Sequence, residues 1–213
     1  MPLLKSIALK EDTHVLVWKI TESFEELFTS ILLNETSLAR LHGMKSESHQ
    51  KGFMSVRRLL MERGYTDFDL FYDAFGKPHL RDGRHISISH SNDFSLIVLS
   101  DENVGADLEI LKGKILKLAP RYMDVTHLEN LNTMDQLKKA AVVWGIKESV
   151  FKIKNEVGIS FKDHIFENEF ELTDNKCSVE LRFSPQVEYF DIFFDFIEDY
   201  VFVCAFESKG TKV

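Results

Sequence analysis

An α+β fold is predicted from three features of the sequence. Apolar residues recur with helical spacing in both halves of the chain, strand-like alternation fills much of the remainder, and neither a sequence repeat nor a Pro- or Ser-rich linker divides it. The chain has 213 residues, 44% hydrophobic and 28% charged, the balance of a folded protein of one large or two small domains. Lys and Arg number 26 against 34 Asp and Glu, and the net charge of -8 argues against a surface that grips nucleic acid through its phosphates. An anionic ligand must therefore meet a local basic patch or a metal. Cys177 and Cys204 lie in strand-like runs without metal-type spacing, which predicts a reducing, cytoplasmic setting. The opening residues lack the basic start and apolar run of a signal peptide, and no apolar run approaches membrane-spanning length.

Taken in order, Val15 to Ile20 reads as a strand. Ser23 with Glu26 then forms a capping box before the helical face Phe24, Leu27, Phe28, Ile31 and Leu32. A second helix is predicted from about Ser46 to Arg63, with Phe53, Val56 and Leu60 inward, Lys51, Arg57 and Arg58 outward, and Gly64 as the stop. Phe68 to Lys77 reads as strand then turn. His85 to Ser89 and Phe94 to Ser100 read as strands joined by the polar turn His90-Ser91-Asn92-Asp93, and Val104 to Ile110 as another strand. Lys112, Lys114, Lys117 and Arg121 form a basic island without an acidic residue. Thr133 to Lys154, opened by Thr133 with Gln136, is the strongest helical pattern, with Leu137, Ala140, Trp144 and Phe151 on one side. Alternation through Val179 to Phe183, Val187 to Phe196 and Tyr200 to Phe206 predicts an antiparallel sheet.

Four short stretches carry chemically useful residues. In the strand containing Asp107-Leu108-Glu109 both carboxylates leave one face roughly 7 Å apart, a spacing that suits a hard cation such as Mg²⁺ and equally an ordinary solvated face. Trp144, Glu148 and Lys152 are four residues apart and share a helix face, so Glu148 and Lys152 are either a surface ion pair or two groups addressing one site. Ser89 and His90 are adjacent in a strand and point to opposite faces, which excludes a nucleophile and base pair and leaves His90 as an anion donor or a turn residue. Gly76-Lys77-Pro78 is a turn that displays a lysine.

Gly76-Lys77-Pro78, Ser89-His90-Ser91, Gly105-Ala106-Asp107-Leu108-Glu109 and Trp144-x-x-Lys147-Glu148-x-x-x-Lys152 together resemble the motifs of the 4′-phosphopantetheinyl transferases, in their order and approximate spacing. The likeness is to the longer, surfactin-synthetase-activating type. It implies a monomer of two similar α+β halves, residues 1–105 and 106–213, related by a pseudo-two-fold axis with the active site in the cleft. The implied reaction moves the phosphopantetheine arm of coenzyme A to a serine of an apo acyl or peptidyl carrier protein and releases 3′,5′-ADP. Asp107, Glu109 and Glu148 would hold Mg²⁺, or Mn²⁺ in its place, with Glu148 also the base for the carrier serine. Lys152 and His90 would bind the pyrophosphate, Ser89 the adenine end, and Lys77 with Arg57, or Arg58, the 3′-phosphate. Lys112, Lys114, Lys117 and Arg121 are the expected docking patch for an acidic carrier. A non-catalytic carrier-binding module and a Mg²⁺-dependent phosphoesterase are the competing expectations.

Overall fold

The computed structural model describes residues 3–209. Helices and strands are mixed throughout, as an α+β fold requires, and the chain divides into two compact units between Glu102 and Asn103. Among the described residues no helix is long and apolar enough to cross a membrane.

The first unit holds a four-stranded antiparallel sheet formed by β1 (Leu3–Lys10), β2 (Thr13–Lys19), β5 (His85–Ser91) and β6 (Phe94–Ser100) in the order β1-β2-β6-β5. Leu16, Trp18, Ile97 and Leu99 project from this sheet into a core shared with Phe53, Met54, Val56, Leu59 and Leu60 of α3 (Glu47–Met61). The helix stops where expected, with Gly64 in the left-handed region at φ 77°. The capping box of Ser23 and Glu26 opens α1 (Phe24–Thr29), but that helix ends after six residues. The hydroxyls of Thr29 and Ser30 donate to the carbonyls of Glu25 and Leu27, and Leu32 is left 77% exposed. A further helix, α2 (Glu35–Gly43), is capped by the side chain of Asn34. A two-stranded hairpin of β3 (Leu70–Tyr72) and β4 (Pro78–Leu80) turns through Gly76, whose φ is 81°. Strand β5 runs on through His90 to Ser91, two residues beyond its expected end. Ser91 pairs with Phe94, so Asn92 and Asp93 alone make the turn, and Asn92 takes the positive φ of 47° that such two-residue loops demand.

Arg57 corrects the sequence reading. It is 2% exposed and lies in the interior, where the phosphate-binding role assigned to it has no access. Its Nε donates to Asp67 Oδ1 at 2.9 Å, its Nη1 to the carbonyl of Phe53 at 3.1 Å and its Nη2 to Ser37 Oγ at 3.3 Å. Phe53 is four residues earlier on α3, so Arg57 shares the inward stripe. Asp67, supplied by the loop after α3, lets a charge be buried there.

The second unit is built on a five-stranded antiparallel sheet of order β7-β11-β10-β9-β8, comprising β7 (Val104–Ile110), β8 (Ile165–Glu167), β9 (Lys176–Leu181), β10 (Glu188–Ile197) and β11 (Tyr200–Glu207). The helix α5 (Thr133–Lys154) packs against β7 and β11. Ala140, Val143, Ile146 and Val150 from the helix meet Val201, Val203, Ala205, Phe190 and Ile192 in the core. Its cap is Asn132 and not Thr133: Asn132 Oδ1 accepts from the backbone N–H groups of Met134 and Asp135, while Gln136 donates to the carbonyl of Leu128. The basic island forms α4 (Lys114–Leu118) and a 3-10 turn, Ala119–Arg121.

Candidate active site

The site in the second unit starts from two glycines. A Cβ on Gly105 of β7 would lie 1.9 Å from the backbone carbonyl oxygen of Ser149, and one on Gly145 of α5 would lie 2.5 Å from Val203 Cγ2. A glycine inside a helix costs about 1 kcal/mol relative to alanine. Here it lets α5 settle onto the sheet, with Ser149 Oγ donating to the carbonyl of Val203 at 3.2 Å. Gly145, Glu148, Ser149 and Lys152 follow the i, i+3, i+4, i+7 pattern of one helical stripe. The small residues permit the close approach, and the two long charged ones flank it.

Strand alternation puts Gly105 and the side chains of Asp107 and Glu109 on that same face, while Leu108 is buried on the other. Lys152 Nζ donates to Asp107 Oδ1 and to the carbonyl of Ala106, both at 2.8 Å. Burial, and after it the Asp107 and Glu148 carboxylates, push Glu109 up to about 7. Glu148 is raised as well, first by burial and then by Asp107, with Lys152 opposing. Four expected site residues, Asp107, Glu109, Glu148 and Lys152, thus form one mutually interacting charged group. Trp144, expected on the same helix face, is held by aromatic neighbours. It packs edge-on against Tyr122, with centroids 5.1 Å apart, and against Phe161 of α6 (Phe161–His164) at 5.6 Å.

Three carboxylates are hard oxygen donors, and their mutual repulsion is what a divalent cation relieves, so the chemistry of the set fits Mg²⁺. As they stand, no three His, Cys, Asp or Glu side chains among the described residues are gathered closely enough to hold a metal ion. The ammonium of Lys152 already neutralises Asp107.

The residues expected to bind coenzyme A other than Lys152 belong to the first unit. Ser89 and His90 alternate on β5, and the exposed His90 ring lies over Gly52 of α3, where a Cβ would come within 2.7 Å of its Cδ2. His49, which sequence reasoning passed over, stacks on His90 with centroids 5.9 Å apart and planes at 13°. Lys77 is half-buried in the β3–β4 turn, where Asp73 Oδ1 accepts from its backbone N–H and from that of Phe75. Arg58 is half-buried with its guanidinium 5.6 Å from the Trp18 ring centre. In the second unit Lys112, Lys114, Lys117 and Arg121 are all exposed, whereas Leu116 and Leu118 pack on the core.

Lys147, inside the motif, is only 2% exposed; it donates to Glu167 and to the carbonyl of Ile165, joining α5 to β8. Clefts of about 720 and 640 Å³ share His127 and Glu167 as lining residues, and neither is lined by Asp107, Glu109 or Glu148. The acidic group is the candidate site nonetheless, because cleft size says nothing of reactivity, whereas three carboxylates and an ammonium from β7 and α5 interact there.

Gly105→Ala should destabilise the protein by about 1–3 kcal/mol, because the obstacle is backbone and cannot rotate away. Urea denaturation measures this, and a loss no larger than that of an exposed surface substitution would mean that α5 does not depend on the close approach. Comparison of the chain with protein-family models and with curated protein sequences gave no match.

Proposed function

We propose that this protein is a 4′-phosphopantetheinyl transferase acting on apo carrier proteins. The observation that carries the reading is the grouping of Asp107, Glu109 and Glu148 with Lys152, since phosphoryl transfer needs an acceptor for the serine proton beside groups that neutralise the pyrophosphate. In this reading the two units are the similar halves that such enzymes relate by a pseudo-two-fold axis.

The serine hydroxyl attacks the phosphorus that carries the pantetheine arm. The new bond joins serine oxygen to phosphorus, the bond from that phosphorus to the oxygen of the ADP side breaks, and 3′,5′-ADP leaves with the electron pair. Glu148 accepts the serine proton; its raised affinity for a proton, caused by burial, makes it a better base than an exposed carboxylate. Lys152 and His90 hold the pyrophosphate oxygens, Ser89 faces the adenine end, and Lys77 with Arg58 binds the 3′-phosphate in place of the buried Arg57. Asp107, Glu109 and Glu148 would hold the Mg²⁺ or Mn²⁺, which when bound neutralises charge on the pyrophosphate.

The partner is an acidic apo acyl or peptidyl carrier protein. Both molecules being acidic, its approach depends on the exposed Lys112, Lys114, Lys117 and Arg121. Reversing Lys114 and Lys117 to Glu should slow association with an acidic carrier by roughly tenfold or more at low salt and leave coenzyme A affinity unchanged. Stopped-flow rates that are the same for both proteins would remove the patch from the account.

Chromatography of reactions containing coenzyme A and Mg²⁺ tests the reading. Release of 3′,5′-ADP only when apo carrier is present supports transfer. Release without carrier would instead identify a phosphoesterase, and carrier binding without release a non-catalytic module.

A further inference from the structure

The ammonium of Lys152 lies against the Asp107 carboxylate, which a metal ion would also have to bond. Its two acceptors, Asp107 Oδ1 and the carbonyl oxygen of Ala106, are both on β7, each at 2.8 Å. A divalent ion bound to Asp107 would sit about 2.1 Å from a carboxylate oxygen. An ammonium held within hydrogen-bond distance of the same carboxylate would then face a like charge only a few ångströms away, with little water between them. The two cations therefore compete for one carboxylate.

Lys152 is also within reach of solvent. Its side chain is 28% exposed, and it lies in the last turn of α5, three residues before the left-handed cap at Asn155. A lysine stem has four rotatable bonds and can carry its charge several ångströms without disturbing the backbone. Lys147 on the same helix is the contrast. Its side chain is 2% exposed and is tied to Glu167 and Ile165 in the interior, so it cannot exchange partners without unpacking β8.

We propose that Lys152 is an exchangeable internal counter-cation: it neutralises the acidic group in the metal-free protein, is displaced from Asp107 when a divalent cation binds, and is thereby released to pair with an anionic ligand. No covalent bond changes in this exchange; one cation replaces another at Asp107. The identity of the anion as the pyrophosphate of coenzyme A rests on the proposed function, whereas the competition for Asp107 does not. By linkage, metal and anion then favour each other's binding, because each takes one partner of the Lys152–Asp107 pair.

The test is binding of Mn²⁺ to the full chain, followed by the electron paramagnetic resonance signal of free Mn²⁺, with no coenzyme A or carrier present. Removing the competitor by Lys152→Gln should tighten Mn²⁺ binding by about tenfold, within the usual range of coupling between sites. Lys152→Arg keeps the charge and should stay near the wild-type affinity, and Asp107→Asn should abolish the binding. Adding coenzyme A should tighten Mn²⁺ binding to the wild type more than to Lys152→Gln. Circular dichroism establishes that each variant is folded. Unchanged or weaker Mn²⁺ binding in folded Lys152→Gln would overturn the exchange while leaving the transfer reaction standing. Binding that survives Asp107→Asn, or no binding in any of the proteins, would also overturn it. The predicted tightening in a protein that transfers nothing to a carrier would refute the proposed function and leave the exchange intact.

Discussion

Glu148→Gln is expected to lower kcat by about 10²–10⁴-fold, the usual contribution of a positioned general base. The amide keeps the shape of the side chain but accepts no proton from the carrier serine and is a poor ligand for a hard cation. Coenzyme A binding should change much less, because the contacts assigned to Lys77, Arg58 and His90 are made in the ground state. Glu148 is half-buried on α5 and glutamine has the same size and shape, so the folded fraction should stay at the wild-type level. Steady-state kinetics with coenzyme A varied at saturating carrier separate the two constants. A variant that raised KM and left kcat untouched would show that Glu148 binds coenzyme A and takes no part in proton transfer. Asp107→Ala should remove transfer as completely, and it should do so without unfolding the protein, because its partner Lys152 can turn to water.

Arg57→Ala should have the largest effect on stability, about 3–5 kcal/mol, the loss typical of breaking a buried ion pair by removing one partner. The side chains of Arg57 and Asp67 are 2% and 0% exposed. Without the guanidinium, Asp67 keeps the hydroxyl of Ser37 and the backbone N–H of Asn34, both neutral donors, and its charge stays buried. Phe53 would lose the guanidinium that stacks 3.5 Å from its ring centre. Replacing both partners with apolar residues of similar volume should recover much of the loss. Urea denaturation of the single and double variants checks this. A single variant within 1 kcal/mol of wild type would mean that the pair does not hold α2, α3 and the Asp67 loop together.

The elements legible in the sequence are those whose pattern is long or regular. The strand expected over Val104 to Ile110 and the helix expected over Thr133 to Lys154 have those bounds in the structure. Local pattern and tertiary packing agree there on the element and its ends. Other elements carry weak patterns. In β1 (Leu3–Lys10) one face mixes Lys5 with Leu3 and Ile7, and α2 offers only Leu38 and Leu41 as large apolar residues, so neither stood out. Arg57 was misread as exposed because its partner, Asp67, comes from a loop whose path no local pattern reveals.

The candidate site divides the same way. Asp107, Glu109, Glu148 and Lys152 were legible because strand and helix periods fix which faces they share. That Lys152 bonds to Asp107 depends on the approach of α5 to β7, which only Gly105 and Gly145 hint at. A glycine in the middle of a 22-residue helix is the signal that could have shown it. Lys147, five residues before Lys152, looks equally available in the motif, yet Ile165 and Glu167 claim it from a strand that is only three residues long. The stacking of His49 on His90 had no signal at all, since it joins α3 to β5 across 41 positions of the chain.

The central claim is that these residues move a phosphopantetheine arm to a serine, and intact-mass spectrometry of the carrier tests it most directly. Apo carrier incubated with the wild-type protein, coenzyme A and Mg²⁺ should gain the mass of one phosphopantetheine group. Carrier with its acceptor serine replaced by alanine, or apo carrier incubated with Glu148→Gln for the same time, should gain none. An unmodified carrier after incubation with the wild-type protein, across acyl and peptidyl carriers alike, would contradict the account.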